Sequence, residues 1–210
     1  MTRFTSHSMP HSMTRPRPGS PAFHLVWPGP AYLPGYVAAL RAGWSPNTVM
    51  NVSAKELAQI DADAAGFLAQ QVDREARGDP IELPDGSRVA RLPGYRRWIW
   101  NRDEDCFAGL ISFRWQRGTT ALPPHVLGHL GYAVVPWQRG RGAATRALAL
   151  LLADLPAEDA ALDLVTVTCN ADNLASQRVI VANGGELLEQ FTEPAAFGGG
   201  QALRYRIVLR

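Results

Sequence analysis

The residues best suited to chemistry fall in two short stretches. In the first, Tyr132-Ala133-Val134-Val135-Pro136-Trp137-Gln138-Arg139-Gly140-Arg141-Gly142-Ala143-Ala144, an apolar strand runs into a turn of glycine and arginine, and a long helix follows at once. Such a turn suits an anion. The first turn of a helix has N–H groups without intrahelical partners and carries the positive end of the helix dipole. Gly140 and Gly142 remove the Cβ atoms that would keep a phosphate off the backbone. Arg139 and Arg141 add charge, and Thr145 adds a hydroxyl donor. The spacing is neither that of the dinucleotide fingerprint nor that of the nucleotide P-loop. On the turn alone, an anion site and an ordinary strand–helix connection stand side by side.

In the second stretch, Val165-Thr166-Val167-Thr168-Cys169-Asn170 reads as a strand end. Asp172-Asn173-Leu174-Ala175-Ser176-Gln177-Arg178-Val179 opens a helix that Gly184-Gly185 closes. Asp172 or Asn173 suits the N-cap.

The elements that must position these stretches follow from periodicity. Phe23–Val26 reads as a strand, and residues 32–40 as a short helix. Ser53 and Glu56 have the spacing of a capping box. Leu57, Ile60, Ala64, Phe67, Leu68 and Val72 then recur at helical spacing, which predicts one helix running on towards Gly78 and Pro80. Residues 97–100 and 107–115 read as a hairpin around the polar turn Asn101-Arg102-Asp103-Glu104-Asp105, whose acids lack EF-hand spacing. Residues 128–135 make a third strand, 139–152 a helix, 162–168 a buried strand, 173–182 a helix, and 186–191 and 203–209 two final strands. The expected architecture is α+β: a mixed, mostly antiparallel central sheet with helices on both faces.

Composition narrows the function. The chain has 210 residues, of which 46% are hydrophobic, enough for one sizeable core. Residues 1–21, rich in Pro, Ser, His, Met and Arg, read as a disordered tail, and residues 22–210 as a single domain. A formal net charge of +2 points to no nucleic-acid partner and no membrane surface. No run approaches the roughly 18 apolar residues of a membrane span. Cys106 and Cys169 make neither a disulfide framework nor a zinc pattern, so the expected compartment is the cytoplasm and no metal is expected.

Together the two stretches resemble the GNAT superfamily of N-acetyltransferases. Arg139-Gly140-Arg141-Gly142-Ala143-Ala144 is similar to that family's acetyl-CoA motif, R/Q-x-x-G-x-G/A. Asn173-Leu174-Ala175-Ser176-Gln177-Arg178-Val179 resembles the N-x-A-S-x-R-V helix of branches that acetylate protein N-termini and related amines, and the run from Gly128 to Gly185 looks closest to a predicted-acetyltransferase branch. The resemblance spans residues 107–192 and fades over 23–100.

It implies roles residue by residue. The backbone of Ala133, Val134 and Val135 would pair with the pantetheine arm as an added strand, in a gap between two splayed strands. The amides of residues 140–145 (Gly140, Arg141, Gly142, Ala143, Ala144, Thr145), with Arg139 beside them, would hold the pyrophosphate. Asn173 and Ser176 would contact pantetheine or adenosine. An amide near Tyr132 to Val134 would face the thioester carbonyl.

The implied reaction is direct attack of a primary amine on the thioester. An α-amino group, with a pKa of about 8, is already around a tenth neutral at pH 7, whereas a lysine, near 10.4, needs a base. His129 is the candidate base and Tyr132 a candidate acid. Many members of the superfamily place an acidic tyrosine on the helix after the Asn motif; here the comparable positions are Val179 and Ile180. Trp98, Trp100, Phe113 and Trp115 read as core packing or as the lining of an acceptor pocket. A homodimer is a further implication, since many members pair their final strands. Two other readings stand beside the enzyme: an inactive acyl-CoA-binding sensor, and a single-stranded RNA binder using Trp137 and the arginines of the turn.

Overall fold

The structure is a computed structural model that describes residues 22–48, 50–83, 86–197 and 199–209. The expected tail, residues 1–21, lies outside the described residues. The elements are β1 (Phe23–Val26), α1 (Leu33–Arg41), α2 (Ser53–Ala62), α3 (Ala64–Ala69), β2 (Val72–Asp73), β3 (Ile81–Glu82), β4 (Arg88–Val89), β5 (Gly94–Asn101) and β6 (Cys106–Arg114). They continue with β7 (Leu130–Val134), α4 (Ala143–Asp154), β8 (Leu164–Asn170), α5 (Leu174–Ala182), β9 (Glu186–Thr192) and β10 (Gln201–Val208). Seven strands run in the order β1-β5-β6-β7-β8-β10-β9, and β2 joins the far end of β5. Only β7 and β8 are parallel, so the sheet is mixed and mostly antiparallel, as the pattern implies.

Side-chain alternation divides the core into two. Tyr36, Leu40, Ile60 and Phe67 of α1–α3 pack on Trp98, Trp100, Leu110 and Ala133. Tyr36 stacks on Trp98 with centroids 4.7 Å apart. On the other face, Ala147, Leu148 and Leu151 of α4 and Ile180 of α5 pack on Ile99, Ile111, Phe113 and Val165. The four aromatics flagged as core or acceptor pocket are all buried: Trp98 and Trp100 belong to the first cluster, Phe113 and Trp115 to the second.

Three local expectations change. The single long helix is two, because Asp63 leaves helical geometry (φ −155°, ψ 88°) and its carboxylate caps the Gly66 amide at 2.9 Å. Val72, expected on the buried stripe, therefore lies in β2 and is exposed. The capping box does not form. Val52 occupies the N-cap of α2, and Glu56 turns inward to take hydrogen bonds from the Tyr36 hydroxyl and Arg96. Finally, α4 starts at Ala143 and not at residue 139, since Arg139 is extended and Gly140 and Gly142 have φ of 73° and 86°.

One approach between strands is very close. At Gly109 (φ 153°), beside a register shift in β6, an added Cβ would lie 2.3 Å from the Ala133 carbonyl oxygen. Among the described residues no helix is long and apolar enough to cross a membrane. Cys106 and Cys169 are free thiols.

Candidate active site

The site is organised by β7, which pairs very differently with its two neighbours. Against β6 it is in register over five residues, from Phe113↔Leu130 to Gly109↔Val134. Against β8 it is in register only at Leu130↔Val167, one residue after the His129 amide donates to the Thr166 carbonyl at 2.8 Å. Beyond Leu130 the parallel strands separate. In an antiparallel ladder, hydrogen-bonded pairs alternate. The Val135 amide bonds Ala108 and the His129 carbonyl accepts from Arg114, so the odd-numbered residues of β7 face β6. The amides and carbonyls of Tyr132 and Val134 therefore face the gap. The Val134 carbonyl takes a hydrogen bond from Arg139 Nε at 3.1 Å. Of the three residues expected along the gap, Val134 turns its polar groups to that side; Ala133 and the Val135 amide turn to β6, and the Val135 carbonyl accepts from the Gln138 amide at 3.0 Å.

The turn after β7 ends at the start of α4, where no side chain caps the free amides. A Cβ on Gly140 or Gly142 would meet nothing within 4 Å, so the space over the turn is open and the glycines answer to their positive φ. Ala143 is buried and anchors the turn, while Ala144 and Thr145 are half-buried. Neither arginine points freely outward. Arg139 is on the Val134 carbonyl; Arg141 is on Glu104 and on Gln138 Oε1 at 2.8 Å. Hydrogen bonds from Arg141 and then Gln138 hold the exposed Glu104 carboxyl down at about 2. Asn101, fully buried, bonds Gln138 at 3.2 Å and ties off the hairpin turn through its amide oxygen. The polar turn of the β5–β6 hairpin thus braces the glycine turn. Glu104, Asn101 and Gln138 had no local signal, because they act across 34 to 37 residues.

Across the gap, Asn173 caps α5, its amide oxygen accepting from the Ser176 amide at 3.0 Å. Tyr132 reaches from β7 to this first turn, its hydroxyl donating to the Ser176 carbonyl at 3.3 Å. Burial pushes Tyr132 up to about 12, so it keeps its proton at neutral pH. Ile180 is wholly buried and Val179 packs against the same core, so among the described residues the phenol on this turn comes from β7. Asn183 bonds both Val179 and the Thr145 carbonyl, coupling α5 to α4.

His129 is fully buried. Its Nδ1 accepts from the Thr166 amide at 2.9 Å and lies 2.8 Å from Thr166 Oγ1, which leaves the proton on Nε2. Burial, and then the nearby Arg114 charge, push it down to about 4. It offers solvent no basic nitrogen, and its bonds staple β7 to β8 just before they part. Among the described residues, no group of three or more His, Cys, Asp or Glu side chains is placed to hold a metal.

Residues 49–186 match the family described as "Acetyltransferase (GNAT) domain". No curated protein matches the chain. Among solved structures, the chain is similar to the microcin C7 self-immunity acetyltransferase MccE in complex with acetyl-CoA and AMP, with a TM-score of 0.57, 14% identity, and coverage of 89% of this chain and 92% of that one. It is similar to the ribosomal L7/L12 α-N-protein acetyltransferase RimL in complex with coenzyme A, with a TM-score of 0.57, 16% identity, and coverage of 91% and 97%. A Salmonella typhimurium acetyl transferase that modifies the N-terminal serine of L7/L12 gives 0.53, 16%, and coverage of 90% and 95%. At these identities the likeness is one of fold.

Proposed function

Because the chain belongs to the GNAT acetyltransferase family, whose members use acetyl-CoA as co-substrate, we propose that it acetylates a primary amine by direct attack, with acetyl-CoA held between β7 and β8 and across the start of α4. The observation that carries this placement is the parting of β7 from β8 after a single register pair, ending on an uncapped helix start. The residues present fit the group. Tyr132 and Val134 offer amides along the gap, and the open turn at Gly140 and Gly142 leads to the unbonded amides of Ala143, Ala144 and Thr145. Asn173 and Ser176 form the opposite lip. Bound there, acetyl-CoA supplies an activated acyl group and a thiol leaving group.

The chain's own residues then have separate tasks. The Tyr132 or Val134 amide donates to the carbonyl oxygen where negative charge develops. With acetyl-CoA bound, Tyr132 Oη would exchange its bond to the Ser176 carbonyl for one towards the leaving sulfur. Full proton transfer from a phenol near 12 to a thiolate of ordinary pKa, about 8.5, is uphill by more than three pH units, so the role is a hydrogen bond and not an acid's proton. His129 positions β7 against β8 and does not act as base. With His129 buried and its Nδ1 taken by Thr166, the amine that fits is one already partly neutral at pH 7, such as an α-amino group.

Acetyl-CoA binding measured by calorimetry tests the placement. Wild type binds in the micromolar range. Gly142→Asn, which tolerates positive φ, weakens binding less than about tenfold, and Gly142→Asp, which adds a negative charge, weakens it by about a hundredfold or more. No binding by folded wild type would falsify the reading. Binding without acetylation of any amine would mark an acyl-CoA sensor instead.

A further inference from the structure

On the face of the sheet opposite α4, Arg96, Ser112 and Gly131 form one cross-strand row over β5, β6 and β7. In the next row stand Arg114 and His129, joined by the Arg114 amide and the His129 carbonyl. The charges in this patch do not balance. Arg96 is held by Glu56 Oε1 and Gln71 Oε1, each at 3.2 Å. Arg114 makes one side-chain hydrogen bond, from Nη2 to Ser112 Oγ at 3.3 Å, and among the described residues no carboxylate pairs with it. The charged neighbour acting on it is Arg96, a second cation. The buried Nε2–H of His129, a further donor near Arg114, also lacks an acceptor.

The patch is open. The Arg96 side chain is 37% exposed and Arg114 is partly exposed. A Cβ at Gly131 would lie 3.4 Å from Ser112 Oγ and 3.8 Å from Arg114 Nη2, so the glycine keeps the floor above these groups clear. Gly131 also immediately precedes Tyr132, whose amide faces the gap. A guanidinium drawn away from water, beside another cation and without an anion, is unfavourable alone and strongly favours an incoming oxyanion.

Resting on the acetyltransferase reading, we propose that the acceptor carries an oxyanion close to its amine, a carboxylate or a phosphoryl group, and that Arg114 binds it with Ser112 and Arg96 alongside. Arg114 is thus a specificity-determining residue on the acceptor side of β7, across the sheet from the glycine turn.

Three C-terminally amidated dipeptides test this: glycyl-aspartate, glycyl-asparagine and glycyl-phosphoserine. Release of free CoA gives kcat/KM for each, and calorimetry gives their affinity for CoA-loaded protein. The aspartyl or phosphoseryl peptide is expected to exceed the asparaginyl peptide by about tenfold or more, and the better of the two names the anion. Arg114→Gln removes the difference and leaves acetyl-CoA affinity within about twofold. If that variant does not fold, inhibition of wild type by succinate, competitive with the peptide and not with acetyl-CoA, carries the test. Equal use of the neutral peptide, a preference surviving in Arg114→Gln, absence of succinate competition, or failure of all three peptides to bind overturns the proposal. Loss of acetyl-CoA binding by wild type would instead overturn the reading beneath it.

Discussion

Towards α4, β7 leads into a turn whose free polar groups are backbone amides, exposed by two glycines in left-handed conformations and by a helix start that no side chain caps. Towards α1, the same strand lies beside Ser112, Arg114 and Thr166, with Arg96 one strand further on, so three other strands supply these groups. Amide recognition depends on chain geometry, so a dozen consecutive residues suffice to build it. Side-chain recognition depends on which strands lie next to each other. The first kind of site suits a constant cofactor, and the second leaves room for acceptors to vary without disturbing it.

Single substitutions separate the two regions, the largest effect first. After the loss of cofactor affinity expected for Gly142→Asp, the next largest effect is that of Tyr132→Phe. Removing the hydroxyl should lower kcat by roughly ten- to a hundredfold while leaving KM for acetyl-CoA within about threefold. A large rise in KM with unchanged kcat would make Tyr132 a strut between β7 and α5 and no more.

A smaller effect concerns His129. The unfolded chain takes up this proton near pH 6.5, the folded chain only near about 4, so acid favours unfolding across that window. Stability at pH 7 should fall by an amount on the order of 3 kcal/mol as pH drops to about 4. His24, also lowered by burial, acts in the same direction. Urea unfolding of wild type and His129→Gln separates the two: the glutamine accepts from the Thr166 amide without titrating, and its curve should be flatter. Parallel curves would show that the clamp does not govern acid stability.

What the sequence made legible follows the same division. The glycine turn, a cap at Asp172 or Asn173 and the closing Gly184-Gly185 were readable because each is a local backbone decision. The sheet's mixed, mostly antiparallel character followed from alternating patterns and the family resemblance, whereas the order of its strands did not. The bracing of Arg141 by Glu104 was not readable, since it depends on the β5–β6 hairpin folding back on the turn. The break at Asp63 was hidden by apolar spacing: Ile60 and Phe67 both end up buried, so periodicity alone looked continuous. His129 had the right residue type for a base, and its burial could not be seen before β8 was placed beside it.

Gly109 fixes how this protein is free to change over evolutionary time. The Ala133 carbonyl leaves no room for a Cβ there, so drift in β6 that is tolerated at outward positions stops at this residue. A saturation library across β6 should return glycine alone at position 109, in a strand where neighbours such as Ser112 accept several types. A lineage that lost this glycine would have to push β6 off β7, and the width of the gap on the far side of β7 would change with it.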